Sequence, residues 1–370
     1  MARAGEPQLA AKFKLALVSF YAGMGKTRIQ TYVDQIKAIN PSIKLGTYVV
    51  LTEYRDNALP THTDYELVTA LDQNGWWVRD AVTGNKVQWT AGYGTWATNP
   101  TAWAKPDASG RRWPEFKAQF DTTHILGGIR GLDYIYVDQV NDQPWVVGDY
   151  MHNGTNQPKN DPTLGTEYRK GQVAYFNALR SLNPGKMILP NAGSLATPEF
   201  INQVEGAFME CVIGKSWSIE TWGGWNAAMN RYRAEMAQTK APHDVVLQAC
   251  GATADPALAR YGLASALMHD GYFAYTVNGQ AAPPWFDEYD AKLGTAVEPP
   301  PTAPTASGIW MRRYTNGVAL VNPSKTTAAS IDVGAGYKRL TGTQDPVVNN
   351  GQAERMVTLQ PRTGLILIKQ

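Results

Sequence analysis

Cysteine and histidine are scarce in this sequence. Among its 370 residues the only cysteines are Cys211 and Cys250, and there are five histidines. No histidines have the HxH or HExxH spacing of a metal site. Two cysteines exclude a disulfide-rich scaffold and a multi-cysteine metal site, and we expect both thiols to be free. The histidine spacing disfavours a catalytic metal, and no other cofactor is implied.

Long apolar runs and an excess of charge are also missing. No run reaches the ~18 residues that a membrane span needs, and residues 1–7 lack the basic-then-apolar order of a signal peptide. The formal net charge is only +2, with lysine and arginine scattered along the chain. We therefore expect no nucleic-acid partner and no membrane span. The sequence does not indicate an oligomeric state.

Apolar and aromatic residues are plentiful. Hydrophobic residues make up 44% of the chain and charged residues 18%, which is enough apolar material for a sizeable core. The length suits one large domain with a smaller second one. The 12 tryptophans and 18 tyrosines offer flat faces on which sugar rings can stack, although core packing accounts for most aromatic residues.

Apolar segments that read as strands alternate with amphipathic helical segments. This alternation predicts a parallel sheet with crossover helices, and the number of strands fits a (β/α)₈ TIM barrel. The predicted strands are 15–20, 44–51, 94–98, 132–139, 186–191, 206–212, 245–249 and 271–277. The clearest predicted helices are 27–39, 168–182, 225–236 and 256–268. Residues 75–89 predict a hairpin inserted ahead of the third strand.

A proline-rich segment marks the predicted domain boundary. Residues 298–306 contain four prolines and predict a stiff, extended linker between a barrel of residues 1–297 and a domain of residues 307–370. The last segment contains short apolar stretches separated by turn residues, which predict a small C-terminal antiparallel β-sandwich. Its predicted strands are 309–314, 317–322, 328–333, 337–340, 356–359 and 364–368.

Two acids end apolar strands, at the face where barrels of this type carry their active sites. Asp138 ends the fourth predicted strand and Glu210 ends the sixth. Carboxylates at these positions would face each other across the barrel mouth, as glycoside hydrolysis requires. Asp138 could instead be a helix N-cap or a loop acid. Asn191 ends the fifth strand and could position sugar hydroxyls or form a turn.

Five segments of the sequence, taken in order, resemble those of a known family. They are 131–138, 190–193, Glu210, 285–290 and 293–294, and together they resemble hypothetical glycosyl hydrolase family 15, which is related to alpha-galactosidase and polygalactosaminidase barrels. The resemblance covers nearly the whole chain. It implies a glycoside hydrolase with Asp138 as nucleophile, Glu210 as general acid/base and a retaining mechanism. Residues 313–323 likewise resemble the β-domain of amylase-like and galactosidase-like enzymes.

Further residues are expected to contact a poly- or oligosaccharide substrate. They lie on or near predicted strands, or in the loop after the sixth strand: Tyr48, Glu53, Trp96, Gln139, Asn191, Trp217, Trp222, Gln248 and Tyr275. Other acids compete for the catalytic roles, namely Glu53, Asp142, Glu220 and Glu288, although the segment around Glu288 could instead anchor the end of the barrel.

The sequence also leaves two other functions to be considered. A non-catalytic carbohydrate-binding barrel is the main alternative function, because fold does not fix function. A phosphate-handling isomerase is disfavoured, since residues 251–253 form only a weak glycine-rich turn. We expect an extracellular or periplasmic protein whose signal peptide is not part of this sequence.

Overall fold

The computed structural model of the protein describes residues 7–18, 26–192, 198–277 and 282–370. The chain divides into two compact units. Unit 1 comprises Met1–Ala207 and Thr239–Pro242, and unit 2 comprises Phe208–Gln238 and His243–Gln370. Across the described ranges, no helix combines the length and apolarity that a bilayer span requires.

The strands and helices are numbered here in chain order. The strands are β1 (Leu15–Val18), β2 (Lys44–Val50), β3 (Glu53–Tyr54), β4 (Trp96–Ala97), β5 (Tyr134–Val140), β6 (Met187–Ala192), β7 (Gly206–Ile213), β8 (Asp244–Gly251), β9 (Tyr272–Val277), β10 (Trp310–Tyr314), β11 (Gly317–Asn322), β12 (Ala329–Arg339), β13 (Ala353–Leu359) and β14 (Thr363–Lys369). The helices are α1 (Pro7–Ala10), α2 (Lys26–Ile39), α3 (Tyr65–Gln73), α4 (Trp113–Phe120), α5 (Pro162–Leu182), α6 (Pro198–Ile201), α7 (Ile219–Gly223), α8 (Trp225–Gln238) and α9 (Pro256–Ala266). A π-helical turn, Asp121–Leu126, follows α4.

Unit 1 contains four neighbouring strands in the order β1-β2-β5-β6, and each adjacent pair is parallel. All four were predicted, although residues 19–20 of the first prediction lie outside the described residues. Tyr134–Val137 of β5 are buried on both faces of the strand, as expected for a parallel sheet covered by helices. Gly46 of β2 lies against the ring of Tyr134. A Cβ at this position would lie 2.1 Å from the ring, so a larger residue would not fit unless Tyr134 moved.

The predicted third strand does not join this sheet. Only Trp96 and Ala97 form a strand, and they pair antiparallel with Glu53 and Tyr54 in a separate two-stranded sheet. The preceding segment is taken up by a 3₁₀ turn, Ala91–Tyr93, that ends at Gly94 with a positive φ, which leaves too few extended residues for a barrel strand. A closed eight-stranded barrel is therefore not confirmed. The hairpin predicted ahead of this strand is present, with Arg79 bridged to Lys86.

Predicted helices begin at capping residues. Asp161 accepts a hydrogen bond from the Leu164 amide at 2.8 Å, and proline occupies the first position of α5. Asp255 caps α9 in the same way, again with proline at the first position. These Asp-Pro pairs fix the helix starts because aspartate satisfies free amides and proline lacks one. Helix α5 starts six residues before its predicted position for this reason.

Unit 2 carries three more strands of this type. Residues 208–213 of β7 lie beside β8, and β8 pairs in parallel with β9. A disulfide joins Cys211 of β7 to Cys250 of β8. The expectation of two free thiols is therefore wrong. The two cysteines are 39 residues apart in sequence, and only the pairing of their strands brings the sulfurs together.

Removing this disulfide is expected to lower the free energy of unfolding by about 2–4 kcal/mol, because the bond closes a long loop in the unfolded chain. Urea unfolding of Cys211→Ser/Cys250→Ser, compared with oxidised wild type, measures the effect. Wild type reduced with dithiothreitol is the matched control, and it should unfold at the same urea concentration as the double variant. A loss under about 1 kcal/mol would contradict the loop-closure argument.

The C-terminal residues of unit 2 form a single antiparallel sheet in the order β10-β11-β14-β12-β13. The predicted two-sheet sandwich is not confirmed. Leu365 and Leu367 of β14 face the apolar cluster of this sheet, whereas Gly364 lies against α9, where a Cβ would be 2.7 Å from that of Ala264. A helix thus covers one face of the strand, which explains why β14 is apolar at successive positions.

Candidate active site

Asp138 lies at the carboxyl end of β5, between side chains from both neighbouring strands. Its Oδ2 accepts a hydrogen bond from the hydroxyl of Tyr48 at 2.5 Å, and its Oδ1 accepts one from Nδ2 of Asn191 at 2.9 Å. Both donors were expected to contact substrate. Asp138 is a strand residue and does not cap a helix. Two fixed donors hold its carboxylate in one orientation.

A β-bulge in β5 includes both Asp138 and its neighbour Gln139. The β5–β6 register shifts between Val137 and Val140, and Gln139 has a φ of 54°, in the left-handed region. The bulge turns the Gln139 side chain toward β3, where Nε2 donates to Oε1 of Glu53 at 2.7 Å. Bulges and positive φ values of this kind often re-aim side chains near active sites.

Glu53 is the second carboxylate of this region. Burial raises its pKa above the ordinary value of 4.5, hydrogen bonds from Gln139 and Thr95 act in the opposite direction, and the charge of Asp138 raises it further. Because burial has the largest effect, Glu53 holds its proton at higher pH than an exposed glutamate does. A carboxyl group of this kind can donate a proton.

Glu53 lines a small, open pocket within unit 1. The other polar lining residues are Thr52, Gln139 and Asn141, and the remaining wall is formed by Trp89, Ala97, Trp145, Val146, Tyr150 and Tyr168. Several of these belong to a buried apolar cluster that also includes Val78 and Leu164. The pocket therefore has a rigid apolar base and a small number of polar groups, the usual composition of a ligand site.

An exposed aromatic group stands beside this pocket. Trp89 and Trp145 have ring centroids 4.7 Å apart, and Trp89 stacks on Tyr93 at 5.5 Å. The exposed fractions are 48% for Trp89 and 37% for Trp145. Neither was among the predicted site residues. Trp145 follows Asp138 by seven residues, and this position in the loop after a strand was the available signal.

Trp96 is placed differently from these tryptophans. It is half-buried on β4, directly opposite Tyr54. The next residue, Ala97, lines the pocket. Because successive side chains of a strand point to opposite faces, Trp96 points away from the pocket.

The remaining predicted site residues belong to unit 2. Glu210 is exposed on β7, directly before the disulfide-bonded Cys211. Trp217 and Trp222 are 59% and 71% exposed, and Trp222 lies on α7. Their expected place beside Glu210 in a substrate cleft stays a prediction.

Gln248 and Tyr275 are both buried and held by protein groups. Nε2 of Gln248 donates to the Thr276 hydroxyl at 2.7 Å, and its Oε1 accepts from the Cys211 amide at 3.1 Å. The Tyr275 hydroxyl donates to the Thr253 carbonyl at 2.8 Å. Their contact with substrate stays a prediction, and these hydrogen bonds give both residues a structural role.

Two of the competing acids form buried ion pairs. Glu220 is 1% exposed and accepts two hydrogen bonds from the Arg362 guanidinium, at 2.8 and 2.6 Å. Glu288 is 3% exposed and accepts from Arg260 at 2.8 Å and from Asn349 at 2.9 Å. Such pairing stabilises the fold and leaves neither acid placed for proton transfer. Glu53 is the competing acid that lines the open pocket.

The raised pKa of Glu53 predicts a pH-dependent gain in stability for Glu53→Gln. Folding favours the protonated form, so the contribution of Glu53 is fully present below its unfolded pKa and is lost as pH rises through the folded value. The variant should have the same melting temperature as wild type near pH ~4 and a higher melting temperature than wild type near pH ~7.5. Differential scanning calorimetry measures both. Glu298→Gln, at an exposed ion pair, should show no such gain.

Known proteins place this chain in a family. A family model described as hypothetical glycosyl hydrolase family 15 matches residues 37–318. A comparison with curated protein sequences found no match. Within the described residues, no group of three or more histidine, cysteine, aspartate or glutamate side chains is arranged to hold a metal ion.

Solved structures share the fold at low sequence identity. An alpha-amylase from Lactobacillus plantarum matches with a TM-score of 0.55 and 10% identity, covering 100% of this chain and 96% of that one. An Anoxybacillus alpha-amylase matches with a TM-score of 0.52 and 10% identity, covering 99% and 90%. A GH36 alpha-galactosidase from Geobacillus stearothermophilus gives 0.50 and 10% identity, covering 99% and 53%. At such identities the likeness concerns the fold alone.

Proposed function

Because the chain belongs to hypothetical glycosyl hydrolase family 15, we propose that it cleaves glycosidic bonds of a poly- or oligosaccharide with Asp138 and Glu210 as its catalytic acids. The chain is a glycoside hydrolase, and the proposal concerns its residues and mechanism. The observation that carries it is the carboxylate of Asp138, fixed by Tyr48 and Asn191 at the carboxyl end of β5.

In this proposal Asp138 attacks the anomeric carbon. Its carboxylate forms a glycosyl ester as the bond to the leaving oxygen breaks, and water later cleaves that ester. The Tyr48 hydroxyl and the Asn191 amide hold the attacking group in one orientation, which lowers the entropy cost of reaching the transition state.

Glu210 is proposed as the general acid/base. It would protonate the leaving oxygen in the first step and take a proton from water in the second, which gives net retention of configuration. Its exposure supports access to a substrate. The disulfide at Cys211 supports the role as well, because it fixes the backbone next to Glu210.

Glu53 is the second candidate for the acid, on a specific observation. It lines a pocket, and burial together with the charge of Asp138 raises its pKa. A raised pKa is what a carboxyl group needs in order to donate a proton near neutral pH.

Comparing Glu210→Gln with Glu53→Gln separates the two candidates. Loss of the general acid should slow natural oligosaccharides far more than 4-nitrophenyl glycosides, whose leaving group needs no protonation. Sodium azide should restore turnover of the aryl glycoside in that variant alone, by replacing water in the second step. If azide rescues only Glu53→Gln, Glu210 loses the proposed role. Proton NMR of the first product tests retention, since initial release of the inverted anomer would exclude it.

We also propose an extracellular or periplasmic location. The Cys211–Cys250 disulfide supports it, because disulfides persist in oxidising compartments and are rare in the cytosol. Fractionation of cells that express the native gene would test this, and a purely cytosolic protein would contradict it.

A further inference from the structure

We propose that the unit 1 pocket is a subsite that binds one pyranose ring lacking a carboxylate, stacked on the wall formed by Trp89 and Trp145. The inference rests on the proposed function, since this ring would be part of the carbohydrate that Asp138 attacks. It adds a binding site, and a restriction on the substrate, to the catalytic roles described above.

The aromatic wall supplies the first argument. Trp89 and Trp145 contact each other at the pocket while 48% and 37% of their surfaces remain exposed. A core role would bury such rings, as it does for Trp76, Trp77 and Trp113. Exposed, mutually supported indole rings present the flat apolar surface on which the C–H face of a sugar can stack.

The polar groups supply the second argument. Glu53, Gln139 and Asn141 line the pocket together with the Thr52 hydroxyl. Gln139 is itself fixed, donating to Glu53 and accepting from Thr52 at 3.1 Å. Donors and acceptors fixed beside an aromatic wall match a pyranose, which has an apolar face and a rim of hydroxyl groups.

The position and charge of the pocket restrict the substrate. Gln139 follows Asp138 directly in the chain, and Asp138 is close enough to Glu53 to raise its pKa, so the subsite adjoins the proposed nucleophile. The carboxylate of Asp138 opposes a second negative charge beside it, and none of the lining residues that the structure describes is a lysine or arginine. Neutral sugars are therefore accepted and uronic acids are rejected.

Binding to full-length Asp138→Asn, measured by isothermal titration calorimetry, tests the subsite without turnover. The probes are maltohexaose, raffinose and trigalacturonic acid. Trigalacturonic acid is titrated into wild type, which keeps the charge of Asp138, and we expect it not to bind. We expect at least one neutral probe to bind to Asp138→Asn. In the same background, Trp89→Ala and Trp145→Ala should weaken binding about tenfold or more, and Trp145→Phe should retain most of it. Tyr65→Ala, at an exposed aromatic residue of α3 outside the pocket, is the matched control and should bind normally.

Three results would overturn the subsite. In the first, both alanine variants bind with affinities within about twofold of the control. In the second, trigalacturonic acid binds more tightly than the neutral probes. In the third, none of the probes binds. Hydrolysis of 4-nitrophenyl glycosides by wild type is measured separately. If wild type hydrolyses the glycosides but the tryptophan variants bind the probes normally, only the subsite is refuted. If the tryptophan variants bind more weakly but wild type hydrolyses none of the glycosides, only the catalytic proposal is refuted.

Discussion

Asp138→Asn is expected to lower kcat by about 10³- to 10⁴-fold while the fold is retained. Asparagine has the shape of aspartate, but its amide neither attacks the anomeric carbon nor stabilises positive charge there. The hydrogen bonds from Tyr48 and Asn191 show that the protein holds this carboxylate in place. Turnover of the best 4-nitrophenyl glycoside, with circular dichroism as the check on folding, measures the effect.

Asp133→Asn is the matched control for this variant. Asp133 directly precedes the opposite end of β5, where its Oδ2 accepts from Nζ of Lys37 and from the Leu45 amide, both at 2.8 Å. The control should lose about 1 kcal/mol of stability and keep its kcat. Activity of Asp138→Asn within tenfold of wild type would remove Asp138 from the chemistry.

Lys117→Met is expected to lower the free energy of unfolding by about 3–5 kcal/mol, because it leaves Asp121 buried without its counter-charge. Nζ of Lys117 in α4 lies 2.5 and 2.6 Å from the two carboxylate oxygens of Asp121, and their side chains are 1% and 0% exposed. Tyr175 of α5 also donates to this carboxylate. Burial lowers the pKa of Lys117 and raises that of Asp121, so the pair depends on mutual attraction to stay charged.

Urea unfolding compares this variant with two others. Lys117→Met/Asp121→Leu/Tyr175→Phe removes all three polar groups together and should recover most of the loss. Lys170→Met breaks the Lys170–Glu167 pair, whose lysine is 68% exposed, and should cost under about 1 kcal/mol. Equal losses in Lys117→Met and Lys170→Met would show that burial of the first pair is unimportant.

Local sequence pattern predicted much of the framework. Strand β5 shows an apolar run that ends in a polar pair, and strand β14 shows a run bounded by turn residues, so both were located within about two residues. The positions of Asp138 and Asn191 at the ends of neighbouring parallel strands followed from the same pattern, whereas the hydrogen bond between them was not predicted. Helix starts were less certain, because Asp161 and Pro162 precede the periodic part of α5.

Features that depend on distant parts of the chain were not predictable in this way. The antiparallel pairing of β4 with β3 and the disulfide both require knowledge of which segments are neighbours in space. The bulge that turns Gln139 toward Glu53 is a backbone feature without a sequence signature. Trp89 lines the pocket from a segment 56 residues before Trp145, so their shared position at the pocket could not be predicted from either local pattern.

The ion pairs of the C-terminal sheet limit how this protein can recombine with its relatives. Arg362, directly before β14, neutralises the buried Glu220 of α7, and Arg260 of α9 contacts both Glu288 and Asp345. A chimaera that exchanged the last strands for those of another hydrolase would leave Glu220 charged and buried unless the new segment supplied an arginine at the same place. Inheritance of the sheet should therefore follow that of α7 and α9, and the segment should not spread independently among glycoside hydrolases.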